Sequence, residues 1–122
     1  MSLTVVQRPL SGMTAGVPIS VTSTGLAGTG TLIHTGPTST ADHDIIYAWV
    51  NNTSSLTRTV FVDFAGVIMT DEVGARSGFY PVITGIHLQG VSGGTANTIR
   101  MYLSASALNL HVIGHTDRVT EA

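Results

Sequence analysis

The chain has 122 residues, which is enough for one domain and too few for two. Only 10% of residues are charged, against roughly 25% in an ordinary soluble domain, and five Arg with no Lys stand against seven acids for a net charge of −2. That balance excludes a disordered chain, a coiled coil and a cationic surface that would displace counterions from nucleic acid. The absence of Cys excludes disulfides, thiolate zinc sites and a Cys nucleophile.

Val, Ile and Thr supply 40 of the 122 residues, a β-rich composition. Thr4-Val5-Val6-Gln7 opens the chain as an arm or edge strand ended by Pro9, and residues 1–17 stand apart from a single sandwich domain over 18–122. Val17 to Ser23 alternates, with Val17, Ile19 and Val21 on one face. Gly25 to Gly30 is a flexible lead-in to a strand over Thr31–Thr35, and Gly36 to Asp42 is a loop by composition. Asp44 to Asn51 puts Ile46, Ala48 and Val50 on one face and Ile45, Tyr47 and Trp49 on the other, the pattern of a central strand covered on both sides. Arg58 to Phe64 follows after a turn of about five residues, and the two strands read as a hairpin.

Ala65 to Gly78 is irregular, holds the acidic pair Asp71-Glu72, and reads as an exposed excursion. Short strands are expected at Phe79–Ile83 and Gly85–Leu88, then a Gly-rich turn through Gly93-Gly94, then strands over Ile99–Leu103 and from Leu110 to about Arg118. One or two helical turns are the most that Ser104 to Leu110 allows. About eight short strands with regular turns predict an all-β antiparallel sandwich of the jelly-roll kind.

Few residues suggest chemistry. His111 and His115 share a strand face yet stand about 13 Å apart at roughly 3.3 Å per residue, too far for one ion. Asp42-His43-Asp44 is a better cation cluster, but no second ligand pair accompanies it, so a solvated loop with a strand-starting Asp is the expectation. No Gly-x-Ser-x-Gly elbow is present, and the acids are spread along the chain. Gly25 to Gly30 lacks the order of a dinucleotide fingerprint, a following helix and a Lys. Asn51-Asn52-Thr53 and Asn52-Thr53-Ser54 match the N-glycosylation pattern by letters, but no signal-like N-terminus supports a secretory route. No run of about 18 apolar residues predicts a membrane span. The chain therefore reads as a non-enzyme with no metal, no cofactor, no direct nucleic-acid contact and no membrane contact. Tyr47, Trp49 and Tyr102 are either a binding platform or interface anchors. A surface covered by Thr, Ser, Gly and apolar atoms tends to associate, so part of it is expected to be buried against another subunit.

Several segments, taken in order, resemble the small all-β virion proteins of tailed bacteriophages. Gly28-Thr29-Gly30-Thr31-Leu32-Ile33-His34-Thr35 is similar to the opening strand of that group, and Ile46-Tyr47-Ala48-Trp49-Val50-Asn51-Asn52-Thr53-Ser54 to its aromatic strand with an Asn-Thr-Ser turn. Thr59-Val60-Phe61-Val62-Asp63-Phe64-Ala65-Gly66 is similar to its returning strand, which ends in an acid, an aromatic, a small residue and Gly. Pro81-Val82-Ile83-Thr84-Gly85-Ile86-His87-Leu88 and Leu110-His111-Val112-Ile113-Gly114-His115-Thr116-Asp117-Arg118-Val119 resemble its later strands, with His115 where the group often has Tyr or Phe. The cover runs from about residue 26 to 119.

The resemblance implies a structural protein with no catalytic residues. Its leading form is a capsid decoration (cement) protein, made in the bacterial cytoplasm and bound as a homotrimer to the major capsid protein on the outer shell. The alternatives are a tail, neck or head-fibre module, or a carbohydrate-binding sandwich using Trp49, Tyr102 and Asp71. On pattern, Val5, Val6 and Arg8 are the expected shell contacts, and Tyr47, Trp49 and Phe61 the expected subunit contacts.

Overall fold

The computed structural model describes residues 3–22, 24, 30–103 and 110–121. The helical turns considered for Ser104 to Leu110 and the lead-in at Gly25 to Gly30 fall almost wholly outside these residues. Among the described residues there are nine strands and no helix: β1 (Leu3–Pro9), β2 (Ile19–Ser20), β3 (Thr31–Thr35), β4 (Asp42–Asn52), β5 (Arg58–Phe64), β6 (Val67–Val73), β7 (Phe79–Gln89), β8 (Thr98–Leu103) and β9 (Leu110–Glu121).

Two antiparallel sheets pack face to face. One has the order β1-β9-β4-β7, with β2 also pairing β9, and the other has the order β3-β8-β5-β6. From β2 onward, every step along the chain changes sheet except the β5–β6 hairpin. That is the double Greek-key wiring of a jelly roll.

Period-2 alternation places the core. Ile46, Ala48 and Val50 of β4 point inward beside Leu110 and Val112 of β9, facing Val60 and Val62 of β5 and Ile99, Met101 and Leu103 of β8. The expected central strand is central, with β9 and β7 on its two sides. Residues before 18 belong to the sandwich. β1 is an edge strand paired with β9 from Leu3↔Glu121 to Pro9↔His115, Leu10 is fully buried, and Gly12 N–H donates to the Ile33 carbonyl.

Five expectations need correction. β4 and β5 are not a hairpin but lie in different sheets. The cause is Asn52, whose buried amide donates to the carbonyls of Leu56, Val73 and Gly74 while its Oδ1 accepts from Ser54 N–H and Oγ, turning the chain across the sandwich. The hairpin is β5–β6, closed by Ala65 and Gly66 at φ 50° and 94°, as a two-residue turn needs. Asp63 Oδ1 accepts the Gly66 N–H at 2.9 Å, so the acid-aromatic-small-Gly run is a turn device. The supposed excursion is thus mostly strand β6, hard to see because an edge strand need not alternate cleanly. The two strands expected between Phe79 and Leu88 are one, β7, interrupted by register shifts at Val82 and Gly85, where Gly85 takes φ 87°. Finally, Asp42 and His43 belong to β4 together with the strand-starting Asp44 and not to the loop before it, while the Val17–Ser23 strand shrinks to two residues.

Gly114 marks the closest strand approach. It faces inward from β9, and a Cβ there would collide with the Tyr47 carbonyl and come within 2.9 Å of Leu10 Cδ1. Gly114→Ala is expected to lose about 1–3 kcal/mol in urea unfolding, as overpacking does. An unchanged midpoint would contradict this packing.

Candidate functional site

The two faces of the five-stranded sheet have different chemistry. Its inner face is core. Its outer face is built by the alternate residues of β1, β9, β4 and β7, in rows set by the register. One row holds Gln7, Asp117, Ile45 and His87; the next holds Pro9, His115, Tyr47 and Thr84; the next holds Ile113, Trp49 and Pro81. Four of the five histidines, His43, His87, His111 and His115, stand on this face.

Ring stacking orders the side chains. His43 and His87 stack with centroids 5.2 Å apart, and Tyr47 stacks on His115 at 4.9 Å. Trp49 tilts against the same His115 ring at 5.9 Å. The Tyr47 ring also lies over the Gly85 bulge, 3.6 Å from where a Cβ would stand. None of the arginines on these strands points outward, because Arg8 and Arg118 sit in inward-facing register positions. Asp117 and Glu121 are the only carboxylates of the four strands on this face.

The edge strand β1 is a second open surface. All seven of its residues are exposed on both sides, with Leu3 at 60%, Val5 at 61% and Val6 at 45%. Its outer edge presents backbone groups that no strand among the described residues pairs. Val5 shares a row with Val119, while Val6 and Arg8 point to the other side of the sheet.

The remaining sequence-derived residues separate. Phe61 and Tyr102 stack at 4.9 Å on the outer face of the four-stranded sheet, across the sandwich from Tyr47 and Trp49. The three aromatic subunit contacts therefore do not form one surface. A platform joining Trp49, Tyr102 and Asp71 is ruled out by the same geometry, since Trp49 and Tyr102 belong to opposite sheets. Asp42, His43 and Asp44 diverge because alternation sends His43 outward and its neighbours inward. Among the described residues no three His, Cys, Asp or Glu side chains group as metal ligands, and no cavity opens. Asn52 is fully buried with its amide engaged, so it offers no glycosylation acceptor.

A polar network missed by the motif search lies between the sheets. Asp44 is wholly buried. Arg118 of β9 grips it with two bonds, Nε to Oδ1 at 2.8 Å and an amino group to Oδ2 at 2.9 Å. His34 of β3 donates from Nε2 to Oδ2 at 2.6 Å, because its Nδ1 accepts the Ser11 backbone N–H at 3.0 Å. The position of Asp44, in phase with Ile46, Ala48 and Val50, was the available signal: an acid on a core face requires a cation. Burial pushes the Asp44 carboxyl upward, but the hydrogen bonds from Arg118 and His34 outweigh it and hold the group down at about 2. The same bond raises the Arg118 guanidinium.

Compared with known proteins, the chain matches no family model, no curated protein and no solved structure.

Because the folded carboxyl lies below its ordinary value, Asp44 adds stability above about pH 4 and loses that contribution as pH falls toward 2. The expected loss is about 2 kcal/mol, read by urea unfolding at pH 5 and pH 2. Asp44→Asn should flatten that part of the pH dependence. A slope equal to that of the unaltered chain would show that Asp44 does not carry it.

Proposed function

We propose that the chain is a structural protein of a tailed-phage virion, of the capsid decoration type, which binds the outer shell as a homotrimer and stabilises the head. The observation that carries this reading is the exposed strand β1, an unpaired apolar edge on an otherwise weakly charged sandwich. A strand of the shell protein can extend the sheet by pairing with that edge and covering Leu3, Val5 and Val6. Val5, Val6 and Arg8 are then the contacts to the major capsid protein, as the sequence pattern suggested.

Three further points support the reading. The jelly-roll wiring suits viral shell proteins. The phage-like motifs have physical roles in the fold: Asn52 turns the chain between sheets, Asp63 fixes a hairpin, and Arg118 pairs the buried acid. The mechanism is thermodynamic. A protein that binds only the assembled shell shifts the equilibrium toward that shell by its binding free energy, which opposes disruption from packaged DNA.

Counting copies in purified particles of the phage that encodes the chain tests this directly. Repeated shell positions require on the order of hundreds of copies per particle. About a dozen or fewer would favour a tail, neck or fibre module, and absence from the particle would overturn the virion role. Val5→Arg with Val6→Arg should lower the copy number without unfolding the sandwich, since both side chains are solvent-exposed in the protomer.

A further inference from the structure

We infer that the outer face of the five-stranded sheet is where a second copy of this chain docks. The inference deepens the homotrimer reading by naming its contact, and it does not use the shell-binding edge β1.

Size is the first support. The three strands β9, β4 and β7, about 4.8 Å apart over roughly ten residues at 3.3 Å, give about 480 Å² of sheet before side-chain relief is counted. A stable protein contact covers about 800 Å² per partner, so this one face is the right order. The second support is side-chain type. Tyr47, Trp49 and His115 form a fixed aromatic cluster flanked by Ile45 and Ile113, and aromatic anchors surrounded by β-branched side chains are what well-packed interfaces use. The stacking has already ordered these rings in the protomer, so less side-chain freedom is lost on docking.

Charge selects the partner. A basic or acidic partner would need an oppositely charged face, and this one has only Asp117 and Glu121 on β9 toward its β1 side, with no Arg or Lys. Copies of a nearly uncharged surface do not repel one another, and a three-fold ring needs a contact of this face with another part of the next copy. Tyr80, 40% exposed at an inward register position of the edge strand β7, offers a ring outside this face to enter it.

Light scattering at micromolar concentration tests the inference. At neutral pH the mass should be a multiple of 12.7 kDa. Trp49→Arg should bring it down to the single-chain value, as should Ile45→Arg, which serves if the first variant fails to fold; circular dichroism checks folding. Thr59→Arg, on the outer face of the opposite sheet, should leave the multimer intact. A wild-type chain that is monomeric at neutral pH overturns the inference, as does a multimer that ignores both variants. A multimer broken by Trp49→Arg, from a protein absent from virions, would keep this contact and discard the phage reading.

Discussion

The sandwich closes around a fully buried carboxylate. Asp44 has no access to water, and a carboxylate there is tolerable only because Arg118 meets it with two bonds and His34 with a third. The three side chains come from β9, β4 and β3, so the network ties one sheet to the other. Removing any one partner would leave a charge or a donor buried without its match, which costs several times what a neutral core contact contributes. It also sets register: a one-residue slip of β9 would turn Arg118 outward and leave Asp44 bare. The Ser11 N–H extends the network into the segment after β1, which is why Leu10 to Met13 packs as part of the domain.

With electrostatic specificity settled inside, the outside is left with little charge. The outer face of the five-stranded sheet is held by ring stacking rather than ion pairs. That gives it an ordered relief without the hydration that charged side chains would bring. A small domain exposes much of its surface, and one this poor in Lys and Glu has few means of keeping copies apart. The association proposed for it is a consequence of composition as much as of topology.

The strands built on clean alternation were legible in the sequence. Asp44–Asn51, Arg58–Phe64, Ile99–Leu103 and the closing strand all lie where the pattern put them, within a residue or a few of their ends. The sheet to which each belongs was not legible, because a jelly roll sends neighbours in sequence to opposite layers. That is why β4 and β5 resembled a hairpin, and why Trp49 and Tyr102 looked able to share a ligand. β6 escaped because its inward positions include Asp71, and β7 looked divided because a bulge glycine mimics a turn. Tyr47 and Trp49 were visible as outward aromatics, but their His115 partner was not, since stacking between strands 68 and 66 positions apart leaves no local signal. The Asp44 network escaped for a related reason. The phase of Asp44 on its strand was visible, but its partners His34 and Arg118 stand 10 and 74 positions away and leave no local signal.

Trp49 is the single tryptophan of the chain and stands in the middle of the proposed contact, so its own fluorescence reports on the central claim. Iodide quenching measured across a dilution series at neutral pH is the most direct measurement. If the sheet face is covered by another subunit, quenching will be weak in the concentrated protein and will rise as dilution separates the copies. Quenching that is equally strong at every concentration, in a protein that still scatters light as a multimer, would show that the face is open to solvent and the contact lies elsewhere.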